Sequence, residues 1–407
     1  MLLASSQRGL LEGRGCGLRG GSAGVRANSS LAMAAAYPRP GRLSSAKGPV
    51  LEPPVPMSSP ADRETPARVL VRATNWLGDV VMSLPALRAL RGAYPAARLA
   101  VLVRRELASL FDGADWIDEV IPYSVSRGPK RLAGVAAVVG EIRRRRFDLA
   151  VVFPSSFESA LWPFLAGVPR RVGYVRDARG VLLTARARPT PEIRAAHQVH
   201  WYLHLLRETL GIEASAIDPR LDVHAPARDR MRHWLADRRR RPGVRLVALA
   251  PGAAYGPAKE WPAARFAELI DELDRLGAEV VLVGAPSERG RCREVAAQSR
   301  AGALVAAGET SVGDLSGLLS LCDAFAGNDS GAMHVAGALG VPTIGIFGST
   351  SAERTGPLGV KTRVHTARIA CSPCFDRTCR FGHYACFDET SPAAVLASLE
   401  ALAARDA

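Results

Sequence analysis

The chain has 407 residues, 48% of them hydrophobic, which is enough to bury more than one core, and two domains are the natural expectation. No run approaches the roughly 18 uncharged apolar residues of a membrane-spanning helix, so a helical membrane span is excluded. A formal net charge of +14 points to anionic partners (nucleic acid, phosphorylated substrates or a negatively charged membrane face) without choosing among them.

Residues 1–66 are rich in Gly, Ser, Pro and Arg, without a sustained apolar period or a signal-peptide core, and disorder is expected there. Met57 begins "MSSPADRETPARVLVRA", an ordinary bacterial start. An over-extended start or a dispensable tail is therefore preferred to an organellar transit peptide.

From Arg68 short β-branched runs alternate with helical periods. "RVLVRA", "RLAVLV", "DEVIPY", "DLAVVFP" and "RRVGYV" are expected as strands of one parallel sheet. An Arg-heavy helix, "ARDRMRHWLADRRRR", ends at Pro242-Gly243, and the period then restarts with "VRLVALAP", "AEVVLVGAP", "ALVAAG", "DAFAGND" and "PTIGIFG". The expected fold is α/β, with two Rossmann-like domains, residues 67–225 and 244–407, joined by a linker at 226–243 and facing a central cleft. Ligands of such sheets bind beyond the carboxyl ends of the strands, so four loops there carry the candidate chemistry.

The first is "TNWLGD", where Gly78 permits a tight backbone and Asp79 stands at the strand-to-helix junction. Asp79 is either a helix cap or a general base facing the cleft. The second, "PGAAYGPAKEWP", holds Lys259, one of only four lysines (Lys47, Lys130, Lys259 and Lys361) among 53 basic residues. A compact ammonium suits a diphosphate, although the loop is not a Walker sequence and a lone loop lysine is often incidental. The third, "AGNDSGAMHVAGALGVPTIGIFGSTS", places Asp329 and Ser330 at a helix start, His334 one turn in, and Gly348 and Ser349 in a following loop. Unpaired helix-start amides can hold phosphate oxygens, and Asp329 suits a sugar hydroxyl better than a phosphate.

The fourth is "CSPCFDRTCRFGHYACF", holding Cys371, Cys374, Cys379 and Cys386 of the seven cysteines, together with His383. Four thiols and an imidazole could form a zinc site, but C-x2-C-x4-C-x6-C is not a paired C-x2-C pattern. A loop of reduced thiols is expected, with no metal.

Taken in this order, "NWLGDVVMSLPALRALR", "PGAAYGPAKEWP", "NDSGAMHVAGALGVPTIGIFGST" and the cysteine-rich stretch make the chain resemble glycosyltransferase family 9 over Arg68 to Asp388. The cysteine-rich stretch is similar to that of the ADP-heptose:lipopolysaccharide heptosyltransferase II group. The resemblance implies a GT-B fold whose N-terminal domain binds the acceptor and whose C-terminal domain binds ADP-heptose. It also implies inverting transfer of heptose to the first heptose of the lipopolysaccharide inner core, without a cofactor. Asp79 then matches the base and Lys259 the lysine beside the diphosphate. Asp329, Ser330, Gly331 and His334 match the donor-binding helix start. Asn75, Trp76, Gly78, Gly252, Tyr255, Gly348 and Ser349 are expected to line the substrates. Ala254 departs from the family pattern, where an acid is expected, as does Arg380, where proline is common. A cytoplasmic location is expected, and the charge is compatible with peripheral contact at the inner membrane. Two other functions fit less well: a sugar-nucleotide epimerase of the same architecture, and a basic nucleic-acid-binding protein with a zinc knuckle. The scattered arginines and the lack of an aromatic-basic signature argue against nucleic acid as a partner.

Overall fold

The computed structural model describes residues 65–404 apart from 127 and 215. The expected N-terminal extension, but for its last two residues, lies outside the described residues. The first series of apolar runs forms β1 (Arg68–Arg72), β2 (Arg98–Arg104), β3 (Glu119–Tyr123), β4 (Leu149–Val152), β5 (Arg170–Tyr174) and β6 (Ala185–Ala187). They lie parallel in the order β3-β2-β1-β4-β5-β6. The second series forms β7 (Leu246–Ala250), β8 (Glu279–Leu282), β9 (Leu304–Val305), β10 (Ala324–Asn328), β11 (Thr343–Phe347) and β12 (Thr362–Thr366). These too are parallel, in the order β12-β11-β10-β7-β8-β9.

Read from β9, the second sheet repeats the winding of the first. Each lobe is thus a doubly wound Rossmann-like unit, and strand order reverses between β1 and β4 in one and between β7 and β10 in the other. Helices cover both faces, so β4, β7, β10 and β11 are buried along their whole length. That explains why their sequences are continuous apolar runs instead of alternating ones. Each fully buried Val, Leu or Ile there contributes about 1.5–3 kcal/mol of transfer free energy.

The segment expected as a linker carries the helix Ala225–Ala236, which is seated on the second lobe. Gly317 of the helix Val312–Leu319 meets Ala227 so closely that an added Cβ would lie 2.7 Å from its carbonyl carbon. Arg230 pairs with Asp314 at 2.6 Å. The lobes touch at several points: the Gly313 amide donates to Ser109 Oγ (2.9 Å), the Leu221 amide to the Ala338 carbonyl (3.1 Å), and His197 Nε2 meets the Gly356 carbonyl (2.9 Å). Among the described residues, no helix is long and apolar enough to cross a membrane.

Candidate active site

The loops after β1, β7 and β10 flank the two strand-order reversals, and these carry Asp79, Lys259 and Asp329. The helix Leu77–Met82 follows β1 after four residues, with Trp76 as its N-cap. Asp79 is therefore not the cap; it is the third residue of the helix, in the first turn. Directly opposite starts the helix Gly331–Ala338 of the other lobe, capped by Ser330 in extended backbone. The two helix starts cross on glycines. A Cβ on Gly78 would lie 2.6 Å from His334 Cδ2, and one on Gly331 would lie 2.8 Å from Leu77 Cβ. Larger side chains at either position would hold the lobes apart.

This crossing puts one lobe's carboxylate in the electrostatic field of the other lobe's charges. Lys259, buried in the turn Pro257–Lys259, donates from Nζ to Asp329 Oδ2 at 2.5 Å, and Thr350 Oγ1 donates to the same oxygen at 2.7 Å. Asp79 is half-buried, and its pKa is raised to about 6, chiefly by desolvation. The nearby Asp329 charge raises it further, and the Lys259 cation opposes both. Burial drives the imidazole of His334 down to about 4, so this ring is neutral at neutral pH and packs against Gly78. A carboxyl group of pKa about 6 is a competent base only above that value. Activity as kcat/KM against pH should therefore rise through about 6 and then level, a profile read from initial rates across pH 4.5–8.5.

Around this cluster lie hydroxyls whose hydrogen bonds are not made. Ser330 Oγ and Ser349 Oγ are buried without a partner among the described residues, and Ser349 is only 2% exposed. A buried hydroxyl left unpaired is costly, so both have hydrogen-bonding capacity to spare.

Other expected site residues make contacts of their own. Exposed Asn75 accepts from Arg72 Nη2 (2.9 Å) and the Tyr123 hydroxyl (2.8 Å) within the first lobe. Tyr255 donates its hydroxyl to the Phe375 carbonyl at 2.8 Å, and its ring lies 5.1 Å from Lys259 Nζ. Gly348 is overlain by the Phe387 ring, and Gly252 faces Glu288, where a Cβ would come within 2.7 Å. The cysteine-rich loop braces the Lys259 loop: the Ala258 amide donates to the Arg377 carbonyl (3.0 Å) and Arg377 Nε to the Tyr255 carbonyl (2.8 Å). Its four cysteines are free thiols, and they line one small pocket together with Gly348 and Ser349. Of the two departures from the family pattern, Ala254 is exposed and Arg380 is paired with Asp376 at 2.5 Å.

The sequence reading missed Glu288 and the partner of Thr350. Thr350 shares the Asp329 oxygen with Lys259. Glu288 lies just past the carboxyl end of β8, where burial raises its pKa and it accepts from the Ala285 amide at 2.6 Å. An acid soon after the second strand of a Rossmann unit was the available signal for Glu288; Thr350 lies in "GIFGST", whose hydroxyls were expected to meet phosphate, and here its hydroxyl is bonded to Asp329.

The profile of glycosyltransferase family 9 (heptosyltransferase) matches residues 135–385. Lipopolysaccharide heptosyltransferase 2 of Escherichia coli K12 is 32% identical over 313 residues, covering 73% of this chain and 87% of that protein. The lipopolysaccharide heptosyltransferase 2 of Salmonella typhimurium is 32% identical over 308 residues, with the same coverage of 73% and 87%. Among solved structures, ADP-heptose lipopolysaccharide heptosyltransferase II of E. coli superposes with a TM-score of 0.72 at 28% identity, covering 83% of this chain and 99% of that one.

Proposed function

The chain belongs to glycosyltransferase family 9, the heptosyltransferases, and from that premise we propose that it moves L-glycero-D-manno-heptose from ADP-heptose to the first heptose of the lipopolysaccharide inner core, with inversion. One observation carries the proposal. Asp79 of the first lobe and the Lys259–Asp329 pair of the second act on one another at the helix crossing, where an acceptor alcohol and a nucleotide-sugar can meet.

In this mechanism the acceptor hydroxyl oxygen attacks the anomeric carbon from the face opposite the diphosphate. Asp79 takes the hydroxyl proton as the new C–O bond forms. The old bond to phosphate breaks, and its electron pair leaves with ADP. Lys259 meets the charge growing on the diphosphate, together with the amides at the start of the Gly331–Ala338 helix and the free hydroxyls of Ser330 and Ser349. Asp329, itself held by the Thr350 hydroxyl, keeps the ammonium in place. Glu288, in the turn that follows β8, is the acid assigned here to the ribose hydroxyls, by analogy with the acid after the second strand of other doubly wound sheets. The second lobe therefore takes the donor and the first lobe, residues 67–225, the acceptor. The partners are ADP-heptose and a lipopolysaccharide core acceptor in the cytoplasm, without nucleic acid.

The test is incubation with ADP-heptose and a one-heptose core acceptor, read by mass spectrometry. A product carrying one added heptose, formed only when both substrates are present, is expected. Conversion of the donor without an acceptor would instead indicate an epimerase. Because an ammonium and helix amides neutralise the leaving group in this scheme, transfer should continue after chelator treatment. Inert chelated protein that Mg²⁺ alone revives would contradict that role for Lys259.

A further inference from the structure

Asn328 is the last residue of β10 and is 0% exposed, yet it takes no part in the mechanism above. A buried amide is costly unless its hydrogen bonds are made, so its partners explain why a polar side chain ends an otherwise apolar strand. Asn328 Oδ1 accepts from the Trp261 amide at 2.9 Å. Its Nδ2 donates to the Pro251 carbonyl at 2.8 Å, with the Gly252 carbonyl at 3.5 Å. A backbone N–H only donates and a carbonyl only accepts, so these partners fix which way the amide faces.

The partners are the two ends of one loop. Pro251 follows β7 directly, and Trp261 stands just before the helix Ala263–Arg275, with the turn Pro257–Lys259 between them. The backbone pairing of β7 with β10 ends at Ala250 and Gly327, and the Asn328 side chain continues it one residue further on. Trp261 is itself anchored, because its indole N–H donates to the Thr390 carbonyl at 3.1 Å. Asp329, the residue after Asn328, receives the Lys259 ammonium. One strand end thus grips both ends of the loop and also receives the cation that the loop carries. The cysteine-rich segment supports the same loop through Ala258 and the Tyr255 hydroxyl, and those two contacts leave its ends to Asn328.

We propose that Asn328 is a positioning residue for heptose transfer: by clamping the Pro251 and Trp261 ends of the loop to β10, it holds the Lys259 ammonium beside Asp329, where the departing diphosphate is met. Its amide is spent on backbone groups of the loop, so it acts through Lys259 and not on a substrate. This deepens the function proposed above and rests on the assignment of Lys259 to the diphosphate made there.

The test is a double-mutant cycle of Asn328→Ala and Lys259→Ala on kcat/KM for heptose transfer, run beside reductive methylation of the lysines read by mass spectrometry. Asn328→Ala should cost about ten-fold or more in kcat/KM in the otherwise wild-type chain, and less than about two-fold once Lys259 is gone. A merely structural loss would lower both backgrounds by the same factor. Lys259, buried and ion-paired, should label slowly in the wild type and about ten-fold faster in Asn328→Ala as the loop opens, while exposed Lys130 labels alike in both. Should Asn328→Ala fail to fold, Asn328→Thr takes its place in both measurements: it is neutral and close to Asn in volume, with a single hydroxyl instead of a separate donor and acceptor. Equal costs in the two backgrounds, or unchanged labelling of Lys259, would overturn the clamp alone. Wild-type constants in Lys259→Ala would instead reject the diphosphate assignment, and the role of Asn328 in transfer with it.

Discussion

Asn in place of Asp79 should lower turnover by about 10²-fold or more while the protein stays folded. The substitution keeps the shape of the side chain and removes only its ability to take a proton. Because Trp76, not Asp79, caps the helix Leu77–Met82, loss of the carboxylate removes no cap. It does remove a favourable acid from the first helical turn, an effect of about 0.3–1 kcal/mol that leaves the fold intact. It also relieves a half-buried carboxylate whose charge is disfavoured by desolvation and by Asp329, so the melting temperature should hardly fall. Circular dichroism and a thermal melt, run beside initial rates, separate the chemical loss from a structural one. A wild-type rate in Asp79→Asn would leave the carboxylate with no role beyond the helix dipole.

Lys259→Ala should lower kcat/KM by about 10²- to 10³-fold, with ADP-heptose binding weakened and transfer slowed together. Removing the ammonium also leaves Asp329 buried with Thr350 as its remaining side-chain partner, so this variant should melt earlier than the wild type. Charge coupling adds a result that a mere loss of packing would not give. Lys259 pulls the pKa of Asp79 down and Asp329 pushes it up. The acidic limb of the pH profile should therefore move to higher pH in Lys259→Ala and to lower pH in Asp329→Asn. Shifts of opposite sign, measured on residual activity, would tie all three groups to one site. If Lys259→Ala left KM and kcat unchanged, the diphosphate would have to lie elsewhere.

The ten strands expected from β-branched runs are all present, because strands buried on both faces leave continuous apolar sequence. The two that went unnoticed, β6 and β12, are edge strands reading "ARA" and "TRVHT", with partly exposed residues and no apolar run to show them. At the site, glycine-rich loops and a rare lysine were visible as local chemistry. What they do to one another was not, since Lys259 meets Asp329 across 70 residues and Asp79 feels both only through packing of two lobes. Tyr255 shows what a motif leaves out: its hydroxyl is bonded to Phe375, 120 residues away, while its ring lies beside Lys259. The helix boundary mattered as well. A start at Leu77 instead of after Asp79 turns a plausible cap into a side chain projecting from the first turn.

The most direct measurement is the pH dependence of kcat/KM for heptose transfer in the wild type and in Asp79→Asn, on one acceptor and one donor. With Asp79 as the group that receives the acceptor proton, the wild type shows an acidic limb near 6 and the variant's residual rate shows none there. An unchanged limb in Asp79→Asn would mean that another group takes the proton, and the meeting of the two lobes at this carboxylate would not be the seat of the chemistry.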